Sequence, residues 1–315
     1  MARSRWLSWI LGAALLLGLA LAAARYLRGE VVLAALARFD PAYALPLLLL
    51  SALAFWAKGW RFVSLMRPLS PLAGGVVLRG YLAGEAASLL PGGVAARAAL
   101  MRQVGVPIAA SSAPILMSSA LDQLAFLASA LLAALWFEAA RPAALSAAAV
   151  LALLGALLGF APARRWAAGV LRRLMARAGL GEGWLTFGSA LRATLRPAPL
   201  GAALLTTVLS FGLRVAVLDL SLRGLGLTAP WAALFLAYIL PTLAGRLSVL
   251  PGGVGITEAG MIGVLAATSS LSADQAAAGT AVFRVATLLL EALLGTLVYF
   301  FAWRGAAEPR ALRKE

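Results

Sequence analysis

The sequence predicts an all-α polytopic membrane protein with six full spans and two re-entrant helical hairpins related as inverted repeats. Three observations lead there. Sixty-three per cent of the 315 residues are hydrophobic and only 12% are charged, with a mean hydropathy of +0.93, a composition that belongs to membrane chains. Arginine-rich segments separate the apolar runs in a pattern that fixes orientation. The motif Leu-Pro-Gly-Gly-Val occurs twice, at Leu90–Val94 and Leu250–Val254, each time interrupting an apolar stretch. Gly/Pro-interrupted segments in corresponding halves of a membrane chain point to an internal duplication with a binding site at its centre.

From the N-terminus, Arg3 and Arg5 precede an apolar run, Leu7 to Ala24. Ala22-Ala23-Ala24 resembles a signal-peptidase site, but the run is long for a signal peptide, so an uncleaved first span is expected. Residues 25–40 read as a short mixed loop. The second span runs from about Pro41 to Met66 and ends in Trp56, Lys58, Trp60, Arg61 and Arg67, which read as an interfacial collar.

Leu72 to Leu90 follows, a weak span carrying Arg79 and Glu85, then the break at Pro91, Gly92 and Gly93. A short helix with Arg97 and Arg102 reaches Gly105. It is too short for the about 20 residues that a bilayer needs, so the pair reads as a hairpin re-entering from the cytoplasm. Ile115 to Phe137 is a full span containing Asp122, and Ala143 to Phe160 is the next.

Residues 163–197 carry seven arginines against one acid, Glu182. Trp166, Val170, Leu171, Leu174 and Met175 share one half of a helical wheel. The segment suits a helix on an anionic inner leaflet or a basic loop that only fixes orientation. The second half then repeats the order: a span at Pro199–Leu222 with Arg214 and Asp219, a hairpin at Trp231–Leu250 and Val254–Ala267, and a last span at Gln275–Trp303 with Arg284 and Glu291. The expected organisation is one membrane domain, 1–315, made of repeats 1–142 and 143–315. The arginine bias places both termini on the cytoplasmic side of the plasma membrane.

The net charge of +15, with no cysteine and no histidine, points to anionic lipid as the partner rather than nucleic acid. It also removes thiol nucleophiles, imidazole bases and the commonest zinc ligands. No enzyme chemistry, cofactor or metal is expected. The helix break at Pro251, Gly252, Gly253 and Gly255, followed by Thr257 and Glu258, aims free N–H groups and a positive dipole end into the bilayer. Glu258 reads either as a titrating carboxylate or as a dipole partner for its own helix. Arg97 occupies the counterpart helix, and Arg79, Glu85, Arg214 and Arg246 are further charges at membrane depth. Such charges usually line a cavity or pair with one another. With Pro91 set over Pro251, Asp122 falls near the equivalent of Arg284, and these two are expected to pair.

At Trp60-Arg61, Leu90–Val94 with Arg97, Leu121-Asp122, Pro251–Glu258 and Phe283-Arg284, the chain resembles the lysylphosphatidylglycerol synthase transmembrane-region family, the flippase-like integral membrane proteins. The Pro-Gly-Gly-Val-Gly-Ile-Thr-Glu block carries most of that likeness. Ala95 and Ala96 stand where the family usually has Gly-Glu before the arginine. The resemblance implies a lipid translocase whose substrate is an anionic phospholipid or a polyprenyl- or isoprenoid-linked lipid. With about twelve residues after the last span, a stand-alone member without the aminoacyltransferase domain is expected. A carrier for a small anionic solute, or a scaffold for a lipid-synthesis enzyme partner, are the alternatives.

Overall fold

A computed structural model describes residues 29–85, 87, 93–138, 141–177, 183–247, 253 and 255–303. The expected first span at Leu7–Ala24, the break residues Pro91, Gly92, Pro251 and Gly252, and the basic tail after Trp303 lie outside the described residues. All regular structure among the described residues is helical. Four helices are long and apolar enough to cross a membrane: Pro41–Met66, Ile108–Ala133, Pro197–Arg223 and Ala273–Trp303. Three of them carry leucines on their outer faces, among them Leu45, Leu132 and Leu205, which are more than half exposed. In a helix of this composition, such a surface is a lipid-facing one.

In chain order the helices are α1 (Gly29–Arg38), α2 (Ala44–Met66), α3 (Gly74–Glu85), α4 (Gly93–Gln103), α5 (Ile108–Trp136), α6 (Arg141–Gly159), α7 (Ala161–Arg177), α8 (Trp184–Thr194), α9 (Pro197–Arg223), α10 (Trp231–Leu247), α11 (Ile256–Thr268), α12 (Ala273–Arg284) and α13 (Leu290–Val298). A 3-10 turn, Pro41–Tyr43, leads into α2. Two π turns, Val285–Leu289 and Tyr299–Trp303, join and end the last span.

Two boundaries differ from the sequence reading. Residues 29–38 form a helix rather than a loop, held because it packs on α12 and because Asp40 N donates to Gly224 O at 2.7 Å. Helix α5 begins at Ile108 and runs through Pro114 instead of starting after it. Pro114 lies within the first two turns of the helix, close to the end where a missing N–H costs least.

The chain forms two compact units. One comprises residues 1–54 and 212–297; the other, 55–211 and 298–315. They interleave along the sequence and are not the halves 1–142 and 143–315: a repeat is a relation of sequence, a compact unit one of packing. In the second unit, α3 and α4 form a hairpin packed on a core of Phe62, Met66, Val77, Tyr81, Met101 and Ile115. Trp303 closes this core, fully buried, with its Nε1 donating to Gln103 Oε1 at 2.9 Å. Gly80 makes room for it, since a Cβ there would meet Met101 and the Trp303 ring. In the first unit, α10 and α11 form the other hairpin, with α11 packed in turn on α12.

Candidate functional site

Both hairpins cross at a glycine. In the α3–α4 hairpin, a Cβ on Gly84 would lie 2.6 Å from Arg97 Cγ. In the α10–α11 hairpin, a Cβ on Gly245 would lie 2.1 Å from Thr257 Oγ1 and 3.2 Å from Gly253 Cα. Arg97 and Thr257 are 160 residues apart, the same offset as the two Pro-Gly-Gly breaks. Gly253 (φ +64°) and Gly255 (φ +89°) take left-handed backbone conformations, which glycine adopts without steric cost. That permits the chain to stop one helix and begin α11 within a few residues. Thr257 and Glu258 are buried in the first turn of α11. Glu258 folds back so that Oε2 accepts from Gly255 N at 2.5 Å, one half of a capping box, since glycine has no side chain to return the bond.

Among the described residues, eight buried or half-buried charges form four ion pairs. In the second unit Arg61 bonds Asp122 and also donates to Thr207 Oγ1 at 3.1 Å. Arg97 bonds Glu85 across the hairpin and lies over the Tyr81 ring, 4.5 Å from its centroid. These four charges act on one another and on Tyr81. In the first unit Arg214 bonds Glu291, while Arg284 Nε faces Glu258 Oε1 at 2.5 Å. Asp219 holds Arg223 one turn on, at 2.7 Å. Each unit thus contains two buried arginines set against two carboxylates. In each, one pair joins the span before a hairpin to the span after it, with the arginine on the earlier span.

Balanced pairing is what the bilayer demands. An isolated buried ion costs several kcal/mol, and the attraction of a partner offsets this only with good geometry and further hydrogen bonds. The four charges kept under that constraint in each unit make each set a candidate site.

The structure corrects one pairing and relocates several residues. Asp122 is engaged by Arg61, and Arg284 by Glu258, so the expected Asp122–Arg284 pair is replaced by two separate pairs, one in each unit. Complementary charges at equivalent repeat positions were a poor guide because each found a nearer partner on its own unit. Arg61, read as part of an interfacial collar, is only 2% exposed. Its collar neighbours Trp56 and Trp60 are exposed and stacked on each other, centroids 5.4 Å apart. Arg79 is exposed and its Nε bonds its own helix at Gly75 O, 3.1 Å; Arg246 is exposed in the last turn of α10. Neither joins the buried sets. The sequence held a signal for Arg61: it is in helical phase with Ala54, Ala57 and Leu65, all buried, while Trp56 and Trp60 share another face. Thr207 and Tyr81 as partners carried no such signal.

A profile of the lysylphosphatidylglycerol synthase transmembrane region matches residues 9–295. The chain belongs to that family. The match runs through both hairpins and all eight paired charges, so the resemblance seen at a few motifs extends over most of the protein. No curated protein matches the chain. As a member of this family with apolar helices of spanning length, the protein is a multi-pass membrane protein.

Proposed function

We propose that this protein is a lipid translocase that moves an anionic phospholipid, or a polyprenyl- or isoprenoid-linked lipid, between leaflets by alternating access. It does so in the plasma membrane, with six spans, two re-entrant hairpins in inverted orientation and both termini in the cytoplasm. The observation that carries this reading is the repeated hairpin: twice, two short helices cross at a glycine beside an arginine–carboxylate pair, and in the second hairpin both helices are apolar. Short broken helices with charged first turns suit transporters, where the freed backbone and the charges face a substrate. The guanidinium groups suit a phosphate, which they can grip with two parallel hydrogen bonds. The family match supports a role in handling lipid.

Purified protein in vesicles with labelled phosphatidylglycerol or labelled polyprenyl phosphate tests the reading. The parent should move at least one of them. Glu258→Gln and Arg284→Ala should each slow that movement at least tenfold; variants as fast as the parent would remove these residues from the site. Movement of a soluble phosphate ester but of neither lipid would replace the translocase with a carrier for small anions. The inverted arrangement has its own test, helped by the absence of native cysteine. Ala73→Cys, before the first hairpin, and Ala229→Cys, before the second, should label from opposite sides of the membrane.

A further inference from the structure

Most buried charges in this protein are held by aligned hydrogen bonds, but the pair at the start of α11 is not. Arg284 Nε and Glu258 Oε1 pair at 2.5 Å, out of line for a full hydrogen bond, and neither atom has a further partner. Arg284 Nη2 is also buried without a partner, in a residue only 8% exposed. One turn earlier on the same face of α12, Thr280 Oγ1 is buried and likewise unpartnered. The second oxygen of Glu258 is already committed to Gly255 N. Arg61 and Arg97 also leave Nε unpartnered, so what sets this pair apart is the spare donor capacity of Arg284 Nη2 beside Thr280 Oγ1, an arrangement native proteins rarely keep without a use.

We propose that Glu258 and Arg284 form an exchange site, in which an anionic phosphate group takes the place of Glu258 on Arg284 while Glu258 takes up a proton. The inference rests on the translocase reading and adds its coupling. Empty, the site holds one positive and one negative charge. Loaded, Arg284 faces the phosphate monoanion and Glu258 is a neutral carboxylic acid, the proton having come from the aqueous phase. Both states are neutral overall, whereas phosphate arriving beside an ionised Glu258 would leave a surplus negative charge in the membrane, which is costly. One proton accompanies each monoanion as a consequence. Arg284 Nη2 and Thr280 Oγ1 supply donors that the phosphate oxygens satisfy. The other charged or titratable groups with described side chains on the elements around the pair are Tyr238 of α10, which acts on Arg284; Arg246, Asp274 and Arg38, all exposed; Arg214 and Glu291, bonded to each other; and, on α9, whose Leu222 lies against Gly279 of α12, the buried Asp219, committed to Arg223. No second buried carboxylate competes for that proton among the described residues of α10, α11 and α12.

Binding of dioctanoylphosphatidylglycerol to the detergent-solubilised full chain, with proton uptake followed by an indicator dye in weak buffer, tests the exchange without requiring transport. The parent should take up about one proton per lipid bound, and its affinity should fall about tenfold for each unit rise in pH wherever that proton is taken up. Glu258→Gln, which keeps an oxygen for Gly255, should bind with no proton uptake and no pH dependence. Arg284→Ala should lose binding, and Arg284→Lys should bind more weakly yet still take up the proton; thermal melting of each variant checks folding. Parent protein that binds no lipid, or binds it without proton uptake, overturns the proposal, as does proton uptake retained in Glu258→Gln. Glycerophosphoglycerol binding as tightly as the lipid, with the same proton, supports the exchange but assigns it to a soluble anion. If the micelle results hold and vesicles show no lipid movement, the translocase reading fails and the exchange site stands.

Discussion

The two hairpins are built on one plan and wired differently. In the α3–α4 hairpin the acid and the base, Glu85 and Arg97, sit on opposite arms and join those arms to each other, with Tyr81 of the first arm beneath the guanidinium. In the α10–α11 hairpin the acid is Glu258, and its partner Arg284 belongs to α12, outside the hairpin. The first is closed by its own charges; the second is closed by backbone packing at Gly245 and Gly253 and uses its charge to hold the following span. One helix break thus serves two mechanical arrangements, and the partner of the buried carboxylate decides which.

That contrast breaks first at the charges. Glu85→Ala leaves Arg97 without its carboxylate and should destabilise the protein by about 3–5 kcal/mol, with faster hydrogen exchange in α3 and α4. Glu258→Ala should cost a similar amount but speed exchange in α11 and α12 while leaving α10 protected. The same pattern in both variants would show the wiring to be equivalent after all. Reversal of the first pair, Glu85→Arg with Arg97→Glu, should recover much of the loss because both partners belong to one hairpin.

The glycines come next. Gly253→Ala puts a side chain on a backbone at φ +64° and 2.8 Å from backbone atoms of Gly245, neither of which can yield cheaply. It should cost about 2–4 kcal/mol from the two effects together. Gly84→Ala meets first the flexible stem of Arg97 and should cost less, about 1–2 kcal/mol; thermal melting in detergent ranks the two. Tyr81→Leu removes the ring under Arg97 and should cost about 1–2 kcal/mol, with no counterpart effect at the second hairpin. Smallest is Gln103→Met, which removes the acceptor of the Trp303 bond while keeping the ring in the core, and should cost about 0.6 kcal/mol, the average for such bonds in membrane proteins.

Much of this was legible in the residues. The positions of the helices, and the burial of most of the charges within them, follow from apolar run lengths and from proline and glycine, because a bilayer penalises any other use of those residues. Pairing was not legible. Arg61 and Arg67 are six residues apart in one basic collar, and only the first is buried, a difference set by the face each occupies. Asp122 and Arg284 were matched on complementary sign and repeat position, but short-range contact chose Arg61 and Glu258 instead. Sequence reports that a buried charge must have a partner; which partner depends on rotations of helices that local composition does not encode.

One such rotation is visible in the last span. The π turn at Val285–Leu289 separates Arg284, which reaches α11, from Glu291, which reaches α9. Seven residues of uninterrupted α-helix would bring both onto nearly one face, and one extra residue turns the second by about 100°. A chain shortened by a single residue there would swing the carboxylate off Arg214, so the division of labour between the two ends of this helix hangs on one added peptide unit.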